Sequence, residues 1–308
     1  MDDVLSDIDD RASMKPRACL ECLISLWQGQ GHRVGMDPAS GGTAHQPPKG
    51  LPMSHQVDTA DLESKVKAMY RDVAENPRGE FHFEMGRAMA ERLGYLRADL
   101  DRIPAEAIES FAGVGYYFHL LDELEGARVL DLGSGSGMDS FIASLKTGPS
   151  GTVIGLDMTD AQLAKAETLR ARHGLRNITY VKGYIDAAPF PDGSFDAVIS
   201  NGVINLALDK AKVFKQIARL LRPGGRLAIA DIVTDVALPE TISCNATLWA
   251  ACIGGAWQVQ AYKQAIESAG LEIVAEQVND QYRFLSDNAQ GATKKFGVKS
   301  VSLRADKF

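Results

Sequence analysis

ARVLDLGSGSG, running from Ala127 to Gly137, joins a short apolar run to three alternating glycines. Val129 and Leu130 lead into Asp131; Gly133, Gly135 and Gly137 follow, and a helix-like segment opens at Met138. A strand that turns tightly through glycines into a helix brings backbone N–H groups close to a ligand. Asp157 ends a second apolar run, Val153 to Leu156, 20 residues past Gly137. A carboxylate at that place can accept both hydroxyls of a ribose. The pattern points to a protein that grips a nucleoside.

Outward from this stretch the chain alternates. Strands are expected at 128–132, 152–156, 178–182, 195–200, 226–232, 271–278 and 298–304, with helices at 138–146, 160–173, 209–221 and 259–269. Gly174, Gly224 and Gly270 stand where helices should stop. Such alternation means βαβ units and a mostly parallel sheet. The last two strands show no helix between them and are expected to pair antiparallel. The fold class is therefore α/β, with a Rossmann-like sheet of seven strands whose last strand is antiparallel.

Towards the N-terminus the pattern changes. Residues 1–52 form an extension ending in the Gly- and Pro-rich GQGHRVGMDPASGGTAHQPPKGLP, read as a flexible linker, and Met53 follows as a possible alternative start. Residues 53–123 read as a helical lid. Val66, Met69, Tyr70 and Val73 repeat at helical spacing, Asn76 to Gly79 breaks the helix, and Phe83, Met85, Met89, Leu93 and Tyr95 begin a second apolar face. Residues 124–308 form the nucleoside-binding domain. A net charge of −7 with no long basic stripe argues against a nucleic-acid partner. No apolar run reaches the roughly 20 residues a membrane span needs. With no convincing signal-peptide cleavage site, the expected location is cytoplasmic. The 4 cysteines make no disulfide framework in a chain of 308 residues.

Three further pieces narrow the nucleoside. Asp131 precedes the glycines, where a carboxylate suits a ligand ammonium and repels a pyrophosphate. Gly183-Tyr184-Ile185-Asp186 follows the third strand and can wall an adenine. Ser200-Asn201 closes the fourth strand, and Arg222-Pro223-Gly224-Gly225-Arg226 precedes the fifth. Together these resemble the class I S-adenosylmethionine-dependent methyltransferases over about Leu124 to Leu303. The resemblance implies S-adenosyl-L-methionine as cofactor. Asp131 and the backbone of Gly133, Ser134, Gly135 and Gly137 would face the methionine moiety, and Asp157 the ribose. Met158, Ile185 and Tyr184 would pack on the adenine, and Asn201 would sit at the amino-acid end. A helix cap remains the alternative for Asp157, and ordinary packing for Met158, Tyr184 and Ile185.

The phrases GLDMTDAQLAKA, SNGVINL, DKAKVF, LRPGGRLAIADIV and LWAACIGGA are similar to those of arsenite methyltransferases of the ArsM type. The chemistry this implies is attack by the lone pair of trivalent arsenic on the sulfonium methyl, with thiolates holding the soft metalloid. A small-molecule acceptor is implied, and a thiol reductant if arsenic cycles through oxidation states. Cys252, in AACIGGA, matches a family metalloid ligand; Cys244 lies eight residues earlier. On a helix that spacing puts both sulfurs on one face, with backbones about 12 Å apart, so one arsenic would need the segment to bend. The chain departs from the family at two places: Gly202 stands where SNCV has cysteine, and Val114 where a GCGNP-like segment has it. Cys19 and Cys22 form a CxxC without a second ligand pair for zinc, and no metal site is expected. Tyr116, in the aromatic run Tyr116-Tyr117-Phe118, is the best candidate to face a sulfonium. His82 or His119 could serve as base for an oxygen or nitrogen acceptor, and Trp249 and Trp257 flank Cys252. Competing readings are a methyltransferase for a small carbon, oxygen or nitrogen acceptor, and a non-catalytic protein that binds S-adenosylmethionine or a metalloid.

Overall fold

The computed structural model describes residues 59–239, 253–285 and 287–308. The core is one sheet. Strands β1 (Arg128–Leu132), β2 (Thr152–Asp157), β3 (Ile178–Lys182), β4 (Phe195–Asn201), β5 (Leu221–Thr234), β7 (Glu272–Val278) and β8 (Lys299–Asp306) lie in the order β3-β2-β1-β4-β5-β8-β7. The two-residue β6 (Trp257–Gln258) pairs with the end of β5. β1 to β5 are parallel neighbours, and β8 runs antiparallel to both β5 and β7. The final strand is therefore inserted between two others, and β6 makes the sheet one strand larger than expected.

β1 is buried along Val129, Leu130 and Leu132, as a parallel strand covered on both faces must be. Helix α5 (Met138–Thr147) follows the glycine turn and packs beside β1 and β2. Helices α6 (Asp160–Arg172), α7 (Lys210–Leu220) and α8 (Val259–Ser268) carry the crossovers. α7 starts where the Asp209 carboxylate accepts from Lys212 N (2.9 Å), and it buries Val213, Phe214, Ile217 and Leu220. β5 begins earlier than its apolar run suggests. Leu221 pairs with Phe195, the register shifts, and Arg226 pairs with Ala197, so the Pro-Gly-Gly segment is an irregularity inside the strand.

Gly224 lies inside β5 rather than at a helix stop, and a second expectation also fails. α9 (Asp287–Phe296) lies between β7 and β8, where no helix is expected. Its buried residues include Ala289 and Ala292, so its apolar stripe is made of small side chains that barely mark a period.

The N-terminal segment supplies α1 (Thr59–Glu75), α2 (Arg87–Leu93), α3 (Arg97–Leu100) and α4 (Ala105–Glu109). α1 buries Leu62 and Val66 against Met158, Leu206 and Leu208. Two aliphatic side chains removed from water supply about 3–6 kcal/mol. Phe83 and Met85 precede α2 rather than belonging to a helix. Among the described residues no helix is long and apolar enough to cross a membrane.

Candidate active site

The sheet reverses its winding between β1 and β4, and the crevice at their carboxyl ends is where an open α/β sheet takes its ligand. Asp131 is next to last in β1, Asp157 ends β2 and Asn201 ends β4. Gly133 has φ +73°, and a Cβ there would lie 2.4 Å from Val203 Cγ2. Only glycine fits that backbone and that approach. Gly133 N and Ser134 N both donate to Leu156 O (2.7 and 3.0 Å), tying the turn to the end of β2. Asp157 completes the tie, accepting from Gly135 N (3.0 Å) and Thr159 N (2.8 Å).

Two carboxylates lie deeper. Asp131 is 2% exposed and accepts from Ser140 Oγ (2.6 Å). Asp139, at the first turn of α5, accepts from Tyr95 OH (2.6 Å), Tyr117 OH (2.8 Å) and Asn201 Nδ2 (3.0 Å). Burial raises both carboxyls above the ordinary aspartate range, and the negative charge of Asp139 pushes Asp131 further. The Asn201 side chain also holds the N-terminal segment, its Oδ1 accepting from Val114 N (2.7 Å) and its Nδ2 donating to Gly115 O (3.0 Å).

These groups open into a cavity of about 470 Å³. Of the residues expected there, Asp131, Gly133, Ser134, Gly135, Asp157, Met158, Tyr184, Ile185 and Asn201 are on its wall. Gly137 is not; it closes the turn, its N–H donating to Ser134 O (2.9 Å). Tyr116 is also off the wall. Its ring packs edge-on to Tyr95 (4.9 Å) and stacks on His119 (5.3 Å), while its neighbour Tyr117 turns inward to Asp139. His119 meets Gln277 Oε1 (2.8 Å), His82 packs edge-on to Phe83, and neither histidine lines the cavity. Trp257 lies in β6 with its ring 5.3 Å from Lys210 Nζ. Cys19, Cys22, Cys244, Trp249 and Cys252 lie outside the described residues, as does the 1–52 extension.

α1 forms the outer wall through Leu62, Glu63, Val66 and Tyr70. Gln162 joins it to the turn, accepting from Ser136 Oγ (2.6 Å) and donating to Tyr70 O (2.7 Å). At the mouth, Tyr184 OH donates to Glu63 Oε1 (2.7 Å) and accepts from Lys67 Nζ (2.9 Å). The Lys67 ammonium in turn holds the Glu63 carboxyl below its usual value. Asp139 lines the cavity and Tyr95 and Tyr117 hold it from off the wall; none of the three was among the residues expected at the site. Asp139 had a signal, since it stands two residues past Gly137 in GSGMD; the tyrosines had none beyond their aromaticity.

The arrangement fits S-adenosylmethionine on its own geometry. Ser134 Oγ is buried on the cavity wall with no hydrogen-bond partner, and the two deep carboxylates have no basic partner among the described residues. A ligand carrying positive charge and hydroxyl groups would satisfy all three. The two positions of departure also meet: a Cβ on Gly202 would lie 3.2 Å from Val114 Cγ1.

Comparison with known proteins agrees. A family model described as a methyltransferase domain matches residues 123–270. The arsenite methyltransferase of Halobacterium salinarum is 38% identical over 199 residues, 64% of this chain and 51% of that protein. That of Mus musculus is 37% identical over 171 residues, 53% of this chain and 45% of that one. The chain thus spans about half the length of the curated relatives it matches. The crystal structure of an arsenic(III) S-adenosylmethionine methyltransferase from Chlamydomonas reinhardtii superimposes with a TM-score of 0.59 at 31% identity, covering 73% of this chain and 74% of that one. A buried acidic crevice at the β1–β4 switch, in a chain related to these proteins over most of its sheet, has one family explanation: the chain belongs to the class I S-adenosylmethionine-dependent methyltransferases, of the arsenite methyltransferase type.

Proposed function

We propose that this protein transfers a methyl group from S-adenosylmethionine to trivalent arsenic. The reading rests on the cavity with Asp131 and Asp139 at its inner end, in a chain 31% identical to an arsenic(III) methyltransferase over 73% of its length. The cofactor, when bound, supplies a methyl group made electrophilic by a positively charged sulfur. Asp131 and Asp139 take the ammonium and bias the deep end towards positive charge. The Gly133–Gly135 backbone and Ser134 hold the methionine moiety, and Asp157 takes the ribose hydroxyls. Met158, Ile185 and Tyr184 would pack on the adenine.

No base is required at the acceptor, because arsenic attacks through a lone pair; this accords with the absence of His82 and His119 from the wall. The As–C bond forms as the S–C bond breaks, and the protein's contribution is to align the two in line. Cys252, with Cys244, is proposed to hold the metalloid as thiolate ligands. Because methylation formally oxidises arsenic, repeated turnover draws on an external thiol.

A second reading has a specific observation behind it. Val114 and Gly202 put no thiol where they face each other, next in sequence to the wall residues Gly113, Asn201 and Val203, which favours a small organic acceptor over a metalloid. The deciding experiment incubates the full chain with methyl-labelled S-adenosylmethionine, arsenite and glutathione and identifies products by mass spectrometry. Labelled methylarsenicals are expected, and are lost in Cys252→Ser. Unmodified arsenite beside label transferred to an organic acceptor would replace the first reading by the second.

A further inference from the structure

On the far side of β4 from Asp131 lies a group of buried polar residues that the mechanism does not use. We propose that Lys210, Asp231 and Tyr262 are positioning residues that set the cavity wall formed by the loop after β4. The inference rests on the reading that this cavity holds S-adenosylmethionine.

Lys210 is 0% exposed, Asp231 1% and Tyr262 1%. They come from three elements, α7, β5 and α8. Asp231 Oδ2 accepts from Tyr262 OH (2.8 Å) and from Asn205 N (2.8 Å), and its Oδ1 from Ile232 N (2.8 Å). Lys210 Nζ donates to Ala207 O (2.8 Å) and sits 5.3 Å from the centre of the Trp257 ring.

Asn205 is the middle residue of the tight turn Ile204–Leu206, and Ala207 ends it. The cluster therefore grips this loop at one backbone donor and one backbone acceptor. The same loop supplies Val203, Leu206, Ala207 and Leu208 to the cavity wall. Val203 presses on Gly133 of the glycine turn, and Leu206 and Leu208 pack with Met158 and the underside of α1. A shift of the loop is thus felt at the methionine end, at the adenine end and at the lid.

Plain core packing would not need these groups. Their surroundings include Phe214, Ile217 and Ile266, all fully buried, and taking a carboxylate and an ammonium out of water is costly. Burial pushes the Lys210 ammonium down and the Asp231 carboxyl up, each partly offset by the other's charge. The return on that cost is two charge-assisted bonds to one loop, which fix its backbone where apolar side chains could only fill space.

The test compares the full chain with Tyr262→Phe and Asp231→Asn. Amide hydrogen exchange is read by mass spectrometry in peptides covering 202–208, with β1 and β2 as controls, and S-adenosylmethionine affinity by calorimetry. Loss of one charge-assisted hydrogen bond predicts exchange about tenfold faster in 202–208 alone and affinity about tenfold weaker. Unchanged loop exchange and affinity would overturn the proposal. So would exchange that rises equally in β1 and β2 along with a lower Tm, which is the mark of a merely structural role. Should Asp231→Asn fail to fold, Tyr262→Phe decides, since its ring keeps the edge-on contact with Phe214 (5.1 Å between centres). If the wild-type chain binds no S-adenosylmethionine, the functional reading fails, and the exchange measurements still decide whether the cluster holds the loop.

Discussion

The glycine turn after β1 and the wall opposite it enclose one cavity but are assembled by different means. The turn runs from Asp131 to Asp139, within nine consecutive residues, and its outside anchor is the end of the adjacent strand β2. The opposite wall gathers Tyr70, Phe111, Asn201 and Val203 from distant parts of the chain. Its bonds span large separations: Tyr95 to Asp139 across 44 residues, Asn201 to Val114 across 87, Gln162 to Tyr70 across 92. A contiguous turn carries its own instructions. A wall made of distant segments exists only once the core has packed.

Asp139 is the joint between the two, being part of the turn by position and part of the wall by its partners. The largest effect is expected from breaking the turn itself. Gly133→Val puts a side chain at φ +73° and against Val203, and it should weaken S-adenosylmethionine binding by about 100-fold or more in a chain that still shows native circular dichroism. Near-normal calorimetric affinity would mean that the turn does not carry the ligand.

Breaking the joint comes next. Asp139→Asn keeps the shape and removes the charge, and about a tenfold loss of affinity is expected. Its pH behaviour sharpens the comparison. Burial raises Asp131 and Asp139 above the ordinary 3.8, so both bind protons more tightly in the empty protein. A positively charged ligand needs them ionised. Affinity is therefore fullest above the raised values and declines as pH falls through them, beginning where an ordinary aspartate is still charged. The decline should be shallower in Asp139→Asn, and shallower for S-adenosylhomocysteine, whose sulfur is neutral. Parallel titrations of the three would show that the deep carboxylates do not sense the ligand's charge.

The smallest effect is expected at the outer wall. Tyr184→Phe keeps the ring at the cavity mouth and deletes the hydroxyl shared by Glu63 and Lys67. Exposed polar contacts are worth about 0–1 kcal/mol, so affinity should fall by about fivefold or less, with product release faster to a similar degree. A change as large as that of Asp139→Asn would make α1 a dominant part of the site.

The same division runs through what was legible in the chain. Asp131 and Asp157 were readable because each ends an apolar run beside a glycine turn or a helix start, a pattern of local spacing. The strands β1 to β4 were readable for the same reason, and the antiparallel end of the sheet also came through. Tyr116 and Tyr117 were not separable: both are aromatic, adjacent and in an irregular segment without a period, and only packing decides which of them faces Asp139. α9 escaped notice because its buried stripe is alanine.

From its residues alone, the chain determined a parallel α/β sheet, the turn that approaches a ligand and the acidic strand tips around it, because these depend on backbone conformation and on side-chain periods of a few residues. Only the tertiary structure decided which hydroxyls stand on Asp139, which loop Lys210 and Asp231 hold, and that Val114 faces Gly202. Apart from the Lys210–Ala207 bond, which spans 3 residues, those contacts join residues 22 or more apart, and no local preference encodes them. They are set when the buried faces of sheet, helices and lid come together and each enclosed polar atom takes the partner that lies within reach.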